Sequence, residues 1–414
     1  MIPLSLTFDL PMKIVEGLAN GKYIRNGGVI QDTAGRVITW LKDNPNVMPN
    51  IAHSVSNFSP IGVLHLLIDG TNVLVTKNRL DTISGQVDQL QKRLGTISVQ
   101  VDQLQNLAMF SSAASLLTLG VTAIGFTTIY KKVQGLETQL KAVQLKLKDV
   151  NEKIDIGFYS NFRAALDLAR NAFSMEDESN RRSSALQAIN RFLEAEHIYL
   201  DLTDKELEKG SPIADEYLLT LCLAFIAEVR CYLELCEYGT ARRRLEEGKT
   251  KVRSRMIERV DNLLTSNPVM YLHPSLTGVV DLSRLTSIYQ WKNPSATENS
   301  VFEEFREHLG KTWDLSEWSK QFPASIMEQS KIKRNFFGLD NKSQNAIFDR
   351  LPKAINEIEE IIETNRRFES YEYELKLLEQ TKIPFSKWLN TAPETPNTNN
   401  SNLIFITPEE PLTL

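Results

Sequence analysis

TISGQVDQLQ occupies residues 82–91 and TISVQVDQLQ residues 96–105, so nine of ten positions recur at an offset of fourteen. Fourteen residues make two heptads, and duplicating two heptads keeps a helical contact seam in phase. Ile83, Val87, Leu90, Leu94, Ile97, Val101 and Leu104 step by 4, 3, 4, 3, 4 and 3. A second seam of the same alternating spacing runs through Val133, Leu136, Leu140, Val143, Leu147, Val150 and Ile154. Large aliphatic side chains at that period predict coiled-coil helices in water. The expected fold class is therefore mainly α.

Between the seams, the 28 residues from Gln103 to Tyr130 carry no charge. The more apolar part, Leu107–Tyr130, reads LAMFSSAASLLTLGVTAIGFTTIY. About 20 residues of helix cross a bilayer, so the stretch is long enough for one span and too short for two. Continuing the first seam lands on Ala108, Ser111, Ser115, Thr118, Thr122 and Gly125, while Leu107, Phe110, Leu116, Leu117 and Ile124 fall off it. Water favours large apolar groups at a helix contact. Lipid favours small residues, with Ser and Thr hydrogen bonding across the contact and bulky groups facing the acyl chains. The seam changes character where the charges stop, which predicts a helical oligomer whose contact face passes from water into membrane. The competing reading is a buried core helix whose small residues permit close approach.

Two topologies follow. One continuous helix from 80 to 155 would be roughly 110 Å long at ~1.5 Å per residue. Alternatively, the two seams fold back antiparallel and the apolar stretch bends near Gly120 into a tip. Lys131 and Lys132 follow the stretch and Asp102 precedes it, which places the C-terminal side in the cytoplasm. A constitutive single span would then carry about 100 residues across the membrane, yet MIPLSLTFDLPMKIVEG lacks the basic and apolar regions of a secretory signal. The expectation is a protein made in the cytoplasm that associates with the inner membrane when active, after a trigger exposes the segment.

Around this insert the chain divides into modules. Residues 1–50 predict a small α+β module. LSLTF reads as a strand, Pro11 starts a helix through MKIVEGLAN, and YIRNGGVIQ and GRVITWL flank the turn sequence DTAG. Residues 51–81 form an apolar helical connector, and 82–156 hold the coiled coil with its hydrophobic centre at 103–130. Residues 157–389 predict an all-helical domain with loops near 176–182, 203–213, 267–300 and 335–342. Residues 390–414 predict a disordered Pro/Asn-rich linker and a short β-prone peptide, LIFIT, fit to join a sheet edge or bind a partner.

In the helical half, RCYLELCEYGTARRRLEE (230–247) resembles the middle of a tetratricopeptide repeat. Tyr232, Cys236, Tyr238 and Ala241 fall on the positions that pack its two helices. The resemblance, over 221–253, implies an antiparallel helix pair and a partner-binding surface. Arg242, Arg243 and Arg244 open a basic run continued by Lys249, Lys251, Arg253, Arg255 and Arg259. It reads first as a solvated helix face. The sharper reading is a contact for anionic lipid, shared with Lys131 and Lys132. Aromatic residues do not interleave with these charges, and the net charge is −5, so no nucleic-acid partner is expected.

Chemistry leaves little trace. GLANGK (17–22) has three residues between its glycines where a phosphate loop needs four, and Tyr23 stands where Ser or Thr would hold magnesium. His65 with Asp69, and Glu304 with His308, offer two ligands each, short of a zinc site. Neither a metal, a cofactor nor a catalytic residue is assigned. Cys222, Cys231 and Cys236 read as buried thiols. In INEIEEIIETN the isoleucines read as core, and Glu357, Glu359, Glu360 and Glu363 as solvated.

Long helices, a central apolar insert and a helical body together resemble the α-helical pore-forming toxins of bacteria and bacterial cell-death effectors used against phage. That resemblance implies a membrane-perturbing, homo-oligomeric effector rather than an enzyme, with lipid as one partner and an unidentified protein on the helical domain as another. The alternative is a non-enzymatic coiled-coil scaffold.

Overall fold

A computed structural model describes residues 4–7, 11–43, 129–130, 133–138, 141, 157–211, 213–264, 268–273, 276, 280, 282–309, 334–335, 338–339, 341–391 and 403–414. In chain order these form β1 (Leu4–Thr7), α1 (Met12–Ala19), β2 (Tyr23–Asn26), β3 (Val29–Asp32) and β4 (Val37–Asp43). The helical half follows as α2 (Gly157–Ala172), α3 (Glu178–Glu208), α4 (Ala214–Glu234), α5 (Tyr238–Leu264), α6 (Leu282–Lys292) and α7 (Glu298–Leu309). The minimal hairpin β5 (Arg334–Asn335) and β6 (Gly338–Leu339), α8 (Asn341–Thr381), α9 (Phe385–Leu389) and β7 (Leu403–Pro408) complete it. The fold is mainly α with a small sheet module.

The sheet has the order β1-β7-β4-β3-β2, with every neighbouring pair antiparallel. The segment YIRNGGVIQ is itself a hairpin turning at Gly27–Gly28, and DTAG makes the next turn, so β2, β3 and β4 form a meander. Gly27 has φ +56°, and a Cβ there would lie 2.2 Å from the Arg366 carbonyl oxygen, so only glycine lets this turn lie against α8. Arg25 pairs with Glu363 at 2.7 Å and the Gly28 N–H donates to Ser370 Oγ at 2.9 Å, fixing the turn on the same helix.

LIFIT does not lie at an edge. β7 is an interior strand between β1 and β4, with Trp40 opposite Ile406 and Asp43 opposite Leu403 on one side, and Leu4 opposite Pro408 on the other. Its alternation explains the placement. Ile406, with Val29 and Trp40, joins the core shared with the helices, whereas Phe405, with Ile30 and Leu41, joins Ile14 and Tyr23 in a second core beneath α1. A strand apolar on both faces cannot stay in water, and the slot between β1 and β4 pairs both its edges while setting one face on each core. Of the linker expected from Asn390 onward, residues 392–402 lie outside the described residues.

α2 packs on α3, α3 on α4, α4 on α5 and α5 on α8. α4 is the central helix, buried nearly all round from Ala214 to Leu233. Some expected loops are helical. α3 runs through 203–208, because Tyr199, Thr203, Glu206 and Leu207 keep one stripe buried, and ends where Gly210 takes φ +63°. Within 267–300, Leu285, Ile288 and Trp291 bury one face of α6.

Lys42 ties the sheet to the helices. Fully buried at the end of β4, its Nζ donates to the carbonyls of Trp388, Leu389 (2.8 Å) and Thr391 (2.9 Å), satisfying the end of α9.

Candidate functional site

The described structure reaches both ends of the chain around the insert. β4 ends at Asp43 within the sheet, and on the other side residues 129–130 and 133–138 are helical. Ile129, Val133 and Leu136 are all buried in the main core, at a 4, 3 spacing that puts them on one helix face. Tyr130 lies under the Arg170 guanidinium, 5.9 Å from ring centroid to Cζ, and Glu137 forms an ion pair with Arg163 at 2.9 Å. Tyr130 to Glu137 is a step of seven residues forward while their partners, Arg170 and Arg163, step seven back, so this helical stretch runs antiparallel to α2. Lys141 adds a second cation to Glu137 at 2.6 Å.

Val133 and Leu136 are therefore the two seam positions that the structure describes, and their partner is this chain's own body. The seam residues Ile83, Val87, Leu90, Leu94, Ile97, Val101, Leu104, Leu140, Val143, Leu147, Val150 and Ile154 lie outside the described residues. So do Ala108, Ser111, Ser115, Thr118, Thr122, Gly125, Lys131 and Lys132. Among the described residues, no helix is long and apolar enough to cross a membrane.

The basic run is partly internal: Arg244 and Arg259 are buried, Arg242 and Arg243 are exposed, and Lys249, Lys251, Arg253 and Arg255 are half-buried. For Arg244, Nε lies 2.7 Å from Glu228, Nη2 lies 2.6 Å from Glu196, and Glu247 takes Nη1. It is thus removed from any lipid contact. Arg242 faces Glu379 at 3.4 Å, and Lys249, Lys251, Arg253 and Arg255 pair with Glu372, Glu247, Glu369 and Asp204. The solvated-face reading holds for the exposed Arg242 and Arg243 and fails for the rest of the run, whose cations meet carboxylates of α3, α4, α5 and α8.

Arg259, 1% exposed, holds Asp215 bidentately at 2.7 and 2.8 Å and Glu357 at 2.6 Å. Glu357 and Glu363 are buried rather than solvated, and Glu359 pairs with Arg284 at 2.7 Å. Cys236 also departs from expectation. It is exposed in the α4–α5 turn at φ +58°, whereas Cys222, Cys231 and Ala241 are buried. The sequence carried a signal for these clusters. Val252, Met256, Arg259 and Leu263 form one 4, 3, 4 stripe, and an arginine on a buried stripe requires buried carboxylates.

Burial, then the nearby Glu228 carboxylate, pushes Glu196 up to about 9. Burial, then Asp215, pushes Glu357 up to about 7. Burial, then Glu357, pushes Glu360 up to about 7, and its Oε2 is buried without a hydrogen-bond partner. Between the usual carboxylate range and pH 7 the folded chain keeps the Glu360 proton and the unfolded chain has released it. Folding stability from this group is therefore complete at acid pH and lost as the pH rises through about 7. Glu360→Gln removes the titration. At pH 8 it should be more stable than the parent by about 1–3 kcal/mol, and by pH 4 the difference should vanish. Urea titrations across that range check this, and a pH-independent difference would refute the assignment.

These clusters join charges to each other. Among the described residues, no group of three His, Cys, Asp or Glu side chains is placed to hold a metal ion. No protein-family model, curated protein or solved structure matches the chain.

Proposed function

We propose that the protein is a membrane-perturbing effector, in which the Leu107–Tyr130 stretch enters a bilayer and copies associate through the heptad seams. The observation that carries this is the 28-residue uncharged run whose seam turns from large aliphatic to Ala, Ser, Thr and Gly where the charges stop. The effector is made in the cytoplasm and acts on the inner membrane as a homo-oligomer. Arg243, Lys131 and Lys132 stand as its contacts for anionic lipid, and the helical half receives a protein partner.

The two ends around the insert favour a hairpin over a single span. Val29, Trp40 and Ile406 share one core with Phe162, Ile129 and Val133. A body that stays folded keeps β4 and α2 on the same side, so the chain between Asp43 and Gly157 crosses the bilayer an even number of times. The segment then enters as a bent tip, the geometry that Gly120 allows.

Dye release from vesicles of phosphatidylethanolamine and phosphatidylglycerol tests the function. The full chain should release dye, and deletion of residues 107–128 should abolish release. Ser115→Leu with Thr122→Leu should slow it by roughly tenfold, through loss of two hydrogen-bonding, close-packing positions. Unchanged release by the double variant removes the small-residue seam. An inert full chain that still oligomerises points to the coiled-coil scaffold instead.

A further inference from the structure

Resting on the membrane reading, we propose that α2 is an autoinhibitory element: it occupies the first turn of the second heptad seam, and that turn must detach before the seam can pair. Val133 and Leu136 begin a seam that continues at 3- and 4-residue steps to Ile154, and a heptad contact uses all of its positions or loses its end. In the folded body both side chains are instead buried against the helices, at 0% and 3% exposure. Ile129, within the uncharged stretch and on the extension of the first seam, is buried with them at 0%. One helix face thus serves two mutually exclusive contacts.

The contact is also built to come apart. Among the described residues, Ile129, Val133 and Leu136 supply its buried apolar side chains, whereas β4 at the other end is a central strand paired on both sides. Its polar margin is Glu137, held by Arg163 and Lys141, with Tyr130 against Arg170. Glu137 is 3% exposed, so removing either cation leaves a buried carboxylate less fully paired.

Glu137→Lys replaces that margin with three cations. Amide exchange at residues 133–138 should accelerate about tenfold or more, and dye release from the same vesicles should accelerate with it. Glu137→Lys with Arg163→Glu restores an ion pair and should return both rates toward the parent. Val133→Ala trims the same contact without burying a charge, and should move both readouts in the same direction if Glu137→Lys misfolds. Faster exchange with unchanged or slower release overturns the proposal, as does exchange that ignores these substitutions. If the parent and every variant release no dye while exchange responds, the membrane reading fails and the inference falls with it.

Discussion

Replacing Arg259 with alanine is expected to destabilise the fold by about 3–5 kcal/mol, because it strands charge in the interior rather than merely deleting a contact. The guanidinium sits between Asp215 on α4 and Glu357 on α8, with all three side chains at 5% exposure or less. Without it, two carboxylates face each other with Arg350 as the remaining cation near Glu357, 3.7 Å away. The network joins three helices, so its loss should lower the urea midpoint of the whole helical half in one transition. Arg259→Met combined with Asp215→Leu and Glu357→Leu should recover most of the loss, because apolar replacement of an entire buried ion cluster is close to neutral. A single alanine variant within about 1 kcal/mol of the parent would contradict this account.

Removing residues 403–414 is the second large effect. Ile404 and Ile406 are fully buried and Phe405 nearly so, and their loss alone is worth about 5 kcal/mol. Truncation also strips hydrogen-bond partners from β1 and β4, including the Thr39 hydroxyl, which donates to the Ile406 carbonyl at 3.0 Å. That total rivals the stability of a small domain. The sheet should open while α2 to α5 and α8 stay folded. Hydrogen exchange would report it as lost protection at Val37–Asp43 with protection retained in α4. A synthetic peptide covering residues 400–414, added in trans, should restore β4. Protection at Val37–Asp43 that survives truncation would show that β7 is dispensable.

How much of this was legible beforehand depends on the range of the interaction. Helical periodicity is local, and α2 to α5 and α8 follow from it. So do β1, α1 and the turn at DTAG, because each rests on neighbours in sequence, whereas the turn at Gly27 lies inside a segment that read as one strand. β7 does not. Its β-prone character was plain in LIFIT, but its slot is created by β1 and β4, whose pairing with it appears in no local pattern. The buried charges occupy a middle ground. INEIEEIIETN looks amphipathic, yet Glu357 lies on the buried side of α8 because Arg259 on α5 requires it there. Read singly, each helix suggested a solvated charge. The two stripes together would have suggested a pair. The insert itself stays a matter of sequence, since most of its seam and all of Ala108 to Gly125 lie outside the described residues.

The threading of β7 between β1 and β4 also sets a clock on biosynthesis. The Thr39–Ile406 bond joins residues 367 apart. At ~5–20 residues per second, roughly 20–70 s separate the emergence of the two strands from the ribosome. Throughout that interval β4 and β1 each lack their pairing with β7, while the uncharged stretch has already been made. The sheet can close only after the helical half has been synthesised, so one of the first structures to begin in this chain is among the last to finish. The newborn protein consequently passes through a stage in which its two unpaired strand edges and its most apolar segment coexist, when holding by a chaperone would matter most.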